Sequence, residues 1–254
     1  MHPPLPTRAG KPRRMLPGLR VDEGYTPHPF DLAFGTRTSG LVAGRHLKTG
    51  HPHSRHATAY YGVAPSVFHA LLARWRRTRP AEPIEEFTFL DIGAGMGRAV
   101  LLASEMDFRA VRGVELHPTL ASIARRNLRL WRQADRERSP ARIHCRDAVE
   151  LPLPKGPVLA FLFNPFGATV MRRLLAAWRA QLIREPRPLD ILYVNNEQEG
   201  VLESARGFHR LFLGKVARSR ADAIADHRIL ANQPDGEYAS SNYEDCSIWR
   251  LAGN

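Results

Sequence analysis

Short apolar runs alternate along the chain with longer segments in which apolar residues recur every three or four positions. A short, nearly continuous apolar run is typical of a strand buried on both faces, and the longer spacing is typical of a helix that buries one face. Buried strands are predicted over residues 87–92, 111–114, 141–145, 157–163 and 189–194. Because predicted helices separate these strands, the pattern indicates a parallel sheet covered by helices.

The predicted helices cover residues 60–77, 98–106, the segment that opens at Pro118, and 169–183. Residues 208–216 and 246–251 are expected to close the sheet as an antiparallel pair, joined by a polar connection over 217–243. The predicted fold class is therefore α/β, with a single Rossmann-like doubly wound sheet, mostly parallel with a terminal antiparallel strand, and an N-terminal helical extension. We predict a disordered, basic and proline-rich tail over 1–24, an extension with a capping helix over 25–80, and the main domain over 81–254.

The connection after the first predicted strand is rich in glycine. Asp91, Gly93, Gly95 and Gly97 follow a D-x-G-x-G-x-G spacing, and Glu115 stands at the end of the second strand, 22 residues after Gly93. Glycine lets the backbone turn tightly and approach a ligand, and ligands of open α/β sheets bind at the carboxyl ends of the strands. A dinucleotide fingerprint, G-x-G-x-x-G, needs its third glycine at position 98, which is arginine.

This arrangement resembles motif I and the following acid of the class I S-adenosylmethionine-dependent methyltransferases, most closely uncharacterised bacterial members and more distantly those that modify protein lysines. The resemblance implies that residues 81–254 form a methyltransferase domain with S-adenosyl-L-methionine as cofactor. It implies that the glycine turn passes under the methionine part and that Glu115 accepts hydrogen bonds from the ribose hydroxyls, with Ala94 and Leu116 beside them. We expect Glu115, at the open end of a strand, to support no core.

Two further cofactor contacts follow from the same resemblance. Asp147 and Ala148 stand just after the third strand, where an acid of the family binds the adenine amine and the next backbone N–H reaches a ring nitrogen. Tyr60 and Tyr61 open the segment of the capping helix, which folds over the cofactor in similar proteins. The resemblance therefore implies that both tyrosines help to close the site, and Tyr61 is a candidate cofactor contact. The alternative is that both tyrosines pack the helix onto the sheet.

The fourth strand ends in Asn164-Pro165-Phe166-Gly167, which loosely resembles the [DN]-P-P-[FY] signature of methyltransferases that act on amino nitrogens. That resemblance implies that Asn164 orients the acceptor, beside the cofactor, and that Phe166 walls the site. One proline of the signature is absent here. The alternative is a strand that ends in a turn, which Asn-Pro forms readily.

Charge adds a second possible partner. The formal net charge of +12 permits nucleic-acid binding. However, only four of the 37 basic residues are lysines, which indicates a composition bias of the whole sequence. The densest arginine run, residues 125–142, is interleaved with acids and is interpreted as a solvated helix face rather than a phosphate-binding stripe. Nucleic acid is therefore possible as a partner but not favoured.

Four histidines at positions 46, 51, 53 and 56 could bind a metal, but no cysteine or nearby acid accompanies them in the sequence, so a polar loop is expected and no metal is assigned. Two cysteines are a poor disulfide framework, which favours a reduced, cytoplasmic setting. No apolar run approaches the length of a membrane helix. The acceptor is unidentified and could be a nitrogen or oxygen of a protein or a small molecule. The alternatives are an RNA or DNA methyltransferase and a non-enzymatic or nucleotide-binding Rossmann-like protein.

Overall fold

The computed structural model of the chain describes residues 25–233 and 241–251. The predicted tail over 1–24 and the turn at Pro234-Asp235-Gly236 lie outside these residues. The strands in chain order are β1 (Thr88–Ile92), β2 (Ala110–Glu115), β3 (Ala141–Cys145), β4 (Val158–Phe163), β5 (Leu189–Val194), β6 (Phe208–Ala217) and β7 (Tyr243–Leu251). The helices are α1 (Pro29–Phe34), α2 (Pro65–Arg77), α3 (Arg98–Ser104), α4 (Pro118–Gln133), α5 (Ala168–Arg184), α6 (Glu199–Glu203) and α7 (Arg220–Ala231).

All seven strands form one sheet in the order β3-β2-β1-β4-β5-β7-β6. The first five strands are parallel, and β7 runs antiparallel to both of its neighbours. This confirms the predicted fold class, including the terminal antiparallel strand. The strand order reverses between β1 and β4, which is the point where ligands bind in open α/β sheets.

Apolar side chains fill both faces of the sheet. Trp75 of α2 and Trp131 of α4 belong to the core on one face, together with Phe89 of β1. Trp178 of α5 and Tyr193 of β5 belong to the core on the other face. Because β1, β4 and β5 have core on both sides, their residues are buried almost without interruption, as their apolar runs predict.

The sequence patterns did not predict the short helices α1 and α6 or the longer helix α7. The connection over 217–243, expected to be polar and irregular, contains α7. Two carboxylates of α7 are buried, and each has a hydrogen-bond partner far away in sequence. Asp222 accepts from the Ser66 backbone N–H at 2.8 Å, and Asp226 accepts from the Tyr61 hydroxyl at 2.8 Å. A helix with buried acids lacks a clear apolar stripe, so periodicity alone does not reveal it.

The N-terminal extension packs onto the glycine turn. Phe30 joins the core under α3 and α4, and Val42 pairs with Tyr60 in an isolated antiparallel bridge. Tyr60 in turn clusters with Met96, a residue of the glycine turn. Among the described residues, no helix is both long and apolar enough to cross a membrane.

Candidate functional site

The turn between β1 and α3 requires its glycines. Gly93, Gly95 and Gly97 have φ angles of 74°, 54° and 92°, in the left-handed region that side chains other than glycine rarely adopt. A Cβ on Gly93 would lie 2.5 Å from the Pro165 side chain. The backbone N–H groups of Gly93 and Ala94 both donate to the Val114 carbonyl, at 2.9 Å. The turn is thereby fixed to the end of β2, and it brings backbone rather than side chains to the pocket.

Tyr60 covers this turn. A Cβ on Gly95 would lie only 2.1 Å from the Tyr60 ring, so the ring packs directly on the glycine backbone. The Tyr60 hydroxyl donates to the Thr38 carbonyl at 2.7 Å, which holds the ring in place from within the extension. Tyr61, the candidate chosen from sequence, also lines the pocket, and its hydroxyl donates to Asp226.

Glu115 ends β2 and is 8% exposed. One carboxylate oxygen accepts from the Gly95 N–H at 2.8 Å, and the other accepts from the His117 N–H at 2.7 Å. Burial raises the pKa of Glu115, and these backbone N–H groups oppose the shift. Each oxygen keeps a second lone pair with which it can accept from a ligand hydroxyl. Glu115 therefore also has a structural role that was not expected from the sequence, because its carboxylate orders the glycine turn.

Asp91 lies beside Glu115 at the carboxyl end of β1. Its side chain lines the pocket, and no hydrogen bond to its carboxyl is formed within residues 25–233 and 241–251. Burial raises the pKa of Asp91 well above its usual range, and the neighbouring Glu115 charge raises it further. A carboxyl that is 3% exposed and lacks a partner favours a ligand that brings a positive charge or hydrogen-bond donors.

Asp147 follows β3 and lies against the extension. One carboxylate oxygen is 2.6 Å from His53 Nδ1, and the other accepts from the Val149 N–H at 3.0 Å. Arg173 of α5 lies 2.8 Å from His53 Nε2. Since a guanidinium can only donate, His53 Nε2 accepts from Arg173, and its Nδ1–H donates to Asp147. The ring therefore connects the extension with both Asp147 and α5.

The contact between His53 and Asp147 changes the interpretation of the four histidines at 46, 51, 53 and 56. The ligating atoms of His51, His53 and Asp147 lie within 4.8 Å of one another, so an acid does join the histidines, contrary to the sequence-based expectation. The segment is also ordered by a short 3-10 helix, Pro52–His56, which His51 caps by accepting from the His53 N–H. A metal on His53 Nδ1 would have to replace the proton that Nδ1 donates to Asp147, so the observed hydrogen bonds favour a role for His53 in holding the extension against Asp147 and α5.

The Asn164-Pro165-Phe166 segment is held by the extension. The Thr58 hydroxyl donates to the Asn164 carbonyl, and the Thr58 N–H donates to the Pro165 carbonyl at 3.3 Å. The Asn164 side-chain oxygen accepts from the Tyr193 hydroxyl at 3.4 Å. Pro165 and Phe166 line the pocket, whereas Asn164 is bonded to Tyr193. The catalytic part assigned to Asn164 and Phe166 stays a prediction.

Most of the candidate residues meet in a single cleft at the carboxyl ends of β1, β2 and β4. Those that line it are Tyr61, Asp91, Gly93, Ala94, Glu115, Leu116, Asp147, Ala148 and Phe166. Gly95 and Gly97 shape the turn, and Asn164 is bonded to Tyr193 and is not one of the lining residues. Tyr60, which the sequence analysis named together with Tyr61 as closing the site, also lines the cleft. The cofactor contacts predicted from sequence did not include the lining residues His53, Thr58, Arg98 and His117.

Arg98 occupies the position at which a dinucleotide fingerprint has its third glycine. The contacts of its side chain show why an arginine is present there. Its guanidinium is buried, donating to the Thr38 hydroxyl at 2.7 Å and to the Ser39 hydroxyl at 2.9 Å. Asp31 lies 3.8 Å away in the same cluster. The first residue of α3 therefore anchors the extension, and its positive charge is already compensated by Asp31.

No protein-family model matches the chain, and no curated protein matches its sequence. Solved structures resemble it. Magnesium protoporphyrin IX methyltransferase from Synechocystis PCC 6803, solved with bound SAM, is 14% identical, with 74% of this chain and 77% of that chain covered and a TM-score of 0.45. A putative RNA methyltransferase from Pyrococcus horikoshii is 13% identical, with 73% and 84% covered and a TM-score of 0.48.

An RNA methyltransferase from Salinibacter ruber, in complex with S-adenosyl-L-homocysteine, is 16% identical, with 73% of this chain and 90% of that chain covered and a TM-score of 0.42. At these identities the likeness concerns the course of the chain and identifies no acceptor. The strand order and the cleft define the class: a Rossmann-like α/β protein with a cleft at the switch point of its sheet. Its seven-stranded sheet, with β7 inserted antiparallel, is the arrangement that the resemblance to class I S-adenosylmethionine-dependent methyltransferases implied.

Proposed function

We propose that the chain binds S-adenosylmethionine and transfers its methyl group to an acceptor. The observation that carries the proposal is the pair of buried acids, Asp91 and Glu115, at the ends of adjacent strands beside a glycine turn. S-adenosylmethionine carries a positive sulfonium and a positive ammonium, and both are attracted to carboxylates in a pocket that excludes water. The pyrophosphate of a dinucleotide has negative charge and no hydrogen-bond donor, so it would give these two acids no favourable partner.

In this proposal the unpartnered Asp91 faces the positively charged methionine end of the cofactor. Glu115 accepts from the ribose hydroxyls with the lone pairs that Gly95 and His117 leave available. Asp147, oriented by His53, accepts from the adenine amine, with Ala148 beside it. Tyr60 and Tyr61 close the site from the extension.

Methyl transfer from a sulfonium is an in-line displacement, so positioning can supply much of the catalysis. A base is required only where the acceptor is protonated at the working pH. The polar groups at the end of β4 are occupied in this structure: Thr58 binds the Asn164 and Pro165 carbonyls, and Tyr193 binds the Asn164 side chain. An acceptor amine that used these oxygens would bind their second lone pairs, because Thr58 and Tyr193 each occupy only one. The cytoplasmic setting inferred from the cysteines stays a prediction.

Calorimetric titration with S-adenosylmethionine and with NAD tests the cofactor. We expect binding of the former, and Glu115→Ala should weaken it by about 2–4 kcal/mol, because hydrogen bonds to charged groups contribute about 1.5–3 kcal/mol each and are not additive. That loss corresponds to roughly 30- to 1,000-fold in affinity. Binding of NAD without S-adenosylmethionine would overturn the proposal.

Glu115→Ala also leaves the Gly95 and His117 N–H groups without their acceptor, so it should lower the free energy of unfolding by about 1–3 kcal/mol. Thermal melts therefore accompany the titration, and Glu115→Gln, which keeps the volume, is the second variant. Glu105→Ala is the matched control: Glu105 pairs with Arg136 at the far end of α3. Glu105→Ala should bind S-adenosylmethionine like the parent protein. Equal affinities for the parent, Glu115→Ala and Glu115→Gln would show that the ribose assignment is wrong.

A further inference from the structure

The structure divides the arginine-rich segment 125–142 into two groups. Some of its arginines are neutralised by carboxylates. The ion pairs are Arg132–Glu137, Arg136–Glu105 and Arg138–Asp107. These pairs belong to a solvated surface, as the sequence suggested. The remaining arginines of the segment include two that join a different surface.

We name that surface the arginine face and define it as Arg112, Arg125, Arg142 and Arg146. All four charges lower the pKa of His144 of β3, and burial is the largest cause of that shift. Arg112 and Arg142 are neighbours in the register of β2 and β3. Arg125 reaches from α4 and donates to the Ile143 carbonyl at 3.2 Å, on the edge strand.

The fold leaves the arginine face accessible. β3 is the edge strand of the sheet, and the described connection from β3 to β4 consists of turns without a helix. Arg125, Arg142 and Arg146 are exposed, and Arg112 is partly exposed. None of the four forms an ion pair with a carboxylate in the part of the chain that the structure describes. Four uncompensated guanidinium groups near one imidazole repel one another, and a polyanion would relieve that repulsion.

The arginine face is continuous with the cleft. Arg146 lines the cleft directly before Asp147. Arg112 and Arg142 lie further back along the strands, because Arg142 is four residues before Arg146, roughly 13 Å at about 3.3 Å per residue. A polyanion with several phosphates can therefore run along the arginine face from Arg142 to the cleft. Guanidinium groups bind phosphate oxygens through paired N–H donors, which suits a chain of phosphodiesters. An enzyme that acts on a base needs that base outside a duplex, so a single strand is the form of nucleic acid that can present a base to the cleft.

We propose that the arginine face binds the backbone of a single-stranded nucleic acid and that this strand presents the methyl acceptor to the cleft. The first part concerns binding alone; the second rests on the proposed methyl transfer. The acceptor is then a nucleotide rather than a protein or a free small molecule. The charge of the whole chain does not carry this inference, because the neighbouring arginines at 132, 136 and 138 are paired with acids and the arginine face is not.

Fluorescence anisotropy with labelled 12-nucleotide oligouridylate and oligothymidylate, without cofactor and over a series of salt concentrations, tests the binding. The test variant is Arg112→Gln/Arg142→Gln. The matched control is Arg136→Gln/Arg138→Gln, which removes the same number of positive charges from paired arginines. We expect the test variant to lose at least about tenfold in affinity and to reduce the salt slope by about 1.4, since each phosphate contact on a single strand contributes about 0.7. The control should keep at least half of the parent affinity and the parent slope.

Equal losses in the two double variants would overturn the proposal, because net charge would then explain the binding. Tighter binding of a duplex than of either single strand would also overturn it, as would equal binding to vesicles of phosphatidylserine. Calorimetry with S-adenosylmethionine on the same samples separates the two proposals. Arg112→Gln/Arg142→Gln should bind the cofactor normally, and a chain that binds oligonucleotide but no S-adenosylmethionine would refute the proposed function while leaving the arginine face intact.

Discussion

Replacing Asp31 should detach the N-terminal extension from the glycine turn. Asp31 is 2% exposed, and its carboxylate accepts from the Thr36 hydroxyl at 2.7 Å and from the N–H and hydroxyl of Thr38 at 2.9 and 2.7 Å. The same carboxylate compensates the buried Arg98 guanidinium at 3.8 Å. Asp31→Ala therefore leaves a buried positive charge and several donors without their acceptor.

Breaking a buried ion pair by removing one partner costs about 3–5 kcal/mol. Arg98 keeps its bonds to Thr38, Ser39 and the Gly62 carbonyl, so we expect Asp31→Ala to lower the free energy of unfolding by about 3 kcal/mol, the lower end of that range. Since Tyr60 is held through the Thr38 carbonyl, its contact with the glycine turn should loosen too.

The effect should depend on pH. Burial pushes the pKa of Asp31 upward, but the Arg98 charge and the surrounding hydroxyl donors hold it below its usual value. A depressed pKa in the folded state stabilises the protein above the unfolded-state pKa, roughly 3.9, and this contribution is lost as the pH falls through the folded-state pKa. The difference between the parent and Asp31→Ala should therefore be complete at pH 7 and shrink below about pH 4.

Urea unfolding at pH 7 and at a series of acidic pH values measures this difference. Asp107→Ala is the control, because Asp107 is about half exposed and pairs with the exposed Arg138. An exposed ion pair contributes about 0–1 kcal/mol, so the control should change little. If Asp31→Ala and Asp107→Ala unfold at the same urea concentration, the Asp31–Arg98 cluster does not anchor the extension.

Two further predictions concern the cleft. Because burial and Glu115 raise the pKa of Asp91, a positively charged cofactor should bind with release of a proton from Asp91. Its affinity should therefore increase with pH until Asp91 is already ionised in the free protein. Calorimetry in two buffers of different ionisation enthalpy detects the released proton, and the same proton release in Asp91→Asn would contradict the assignment. His53→Ala should weaken S-adenosylmethionine binding by about 1 kcal/mol, because Asp147 loses its hydrogen-bond donor. His56→Ala is the control. Titrations that show equal affinities for both variants would show that His53 does not orient Asp147 for the cofactor.

The sequence by itself determined the sheet and the turn at its centre. Apolar runs flanked by helical spacing define strands regardless of their surroundings, and β3 and β5 begin and end at the predicted residues. The positive φ angles of Gly93, Gly95 and Gly97 can be inferred from residue type, since few other residues adopt them. These features are local, so the chain encodes them within a few residues.

Only the tertiary structure decided what closes the site and which charges remain uncompensated. His53 meets Asp147 across 94 residues, and Trp75 on α2 donates to Asp190 across 115. The arginines of segment 125–142 look alike in sequence, yet Arg136 pairs with Glu105, and Arg142 forms no ion pair with any residue of 25–233 or 241–251. Hydrogen bonds and ion pairs act only over a few ångströms, so their partners are set by how the elements pack, and no local pattern specifies that packing.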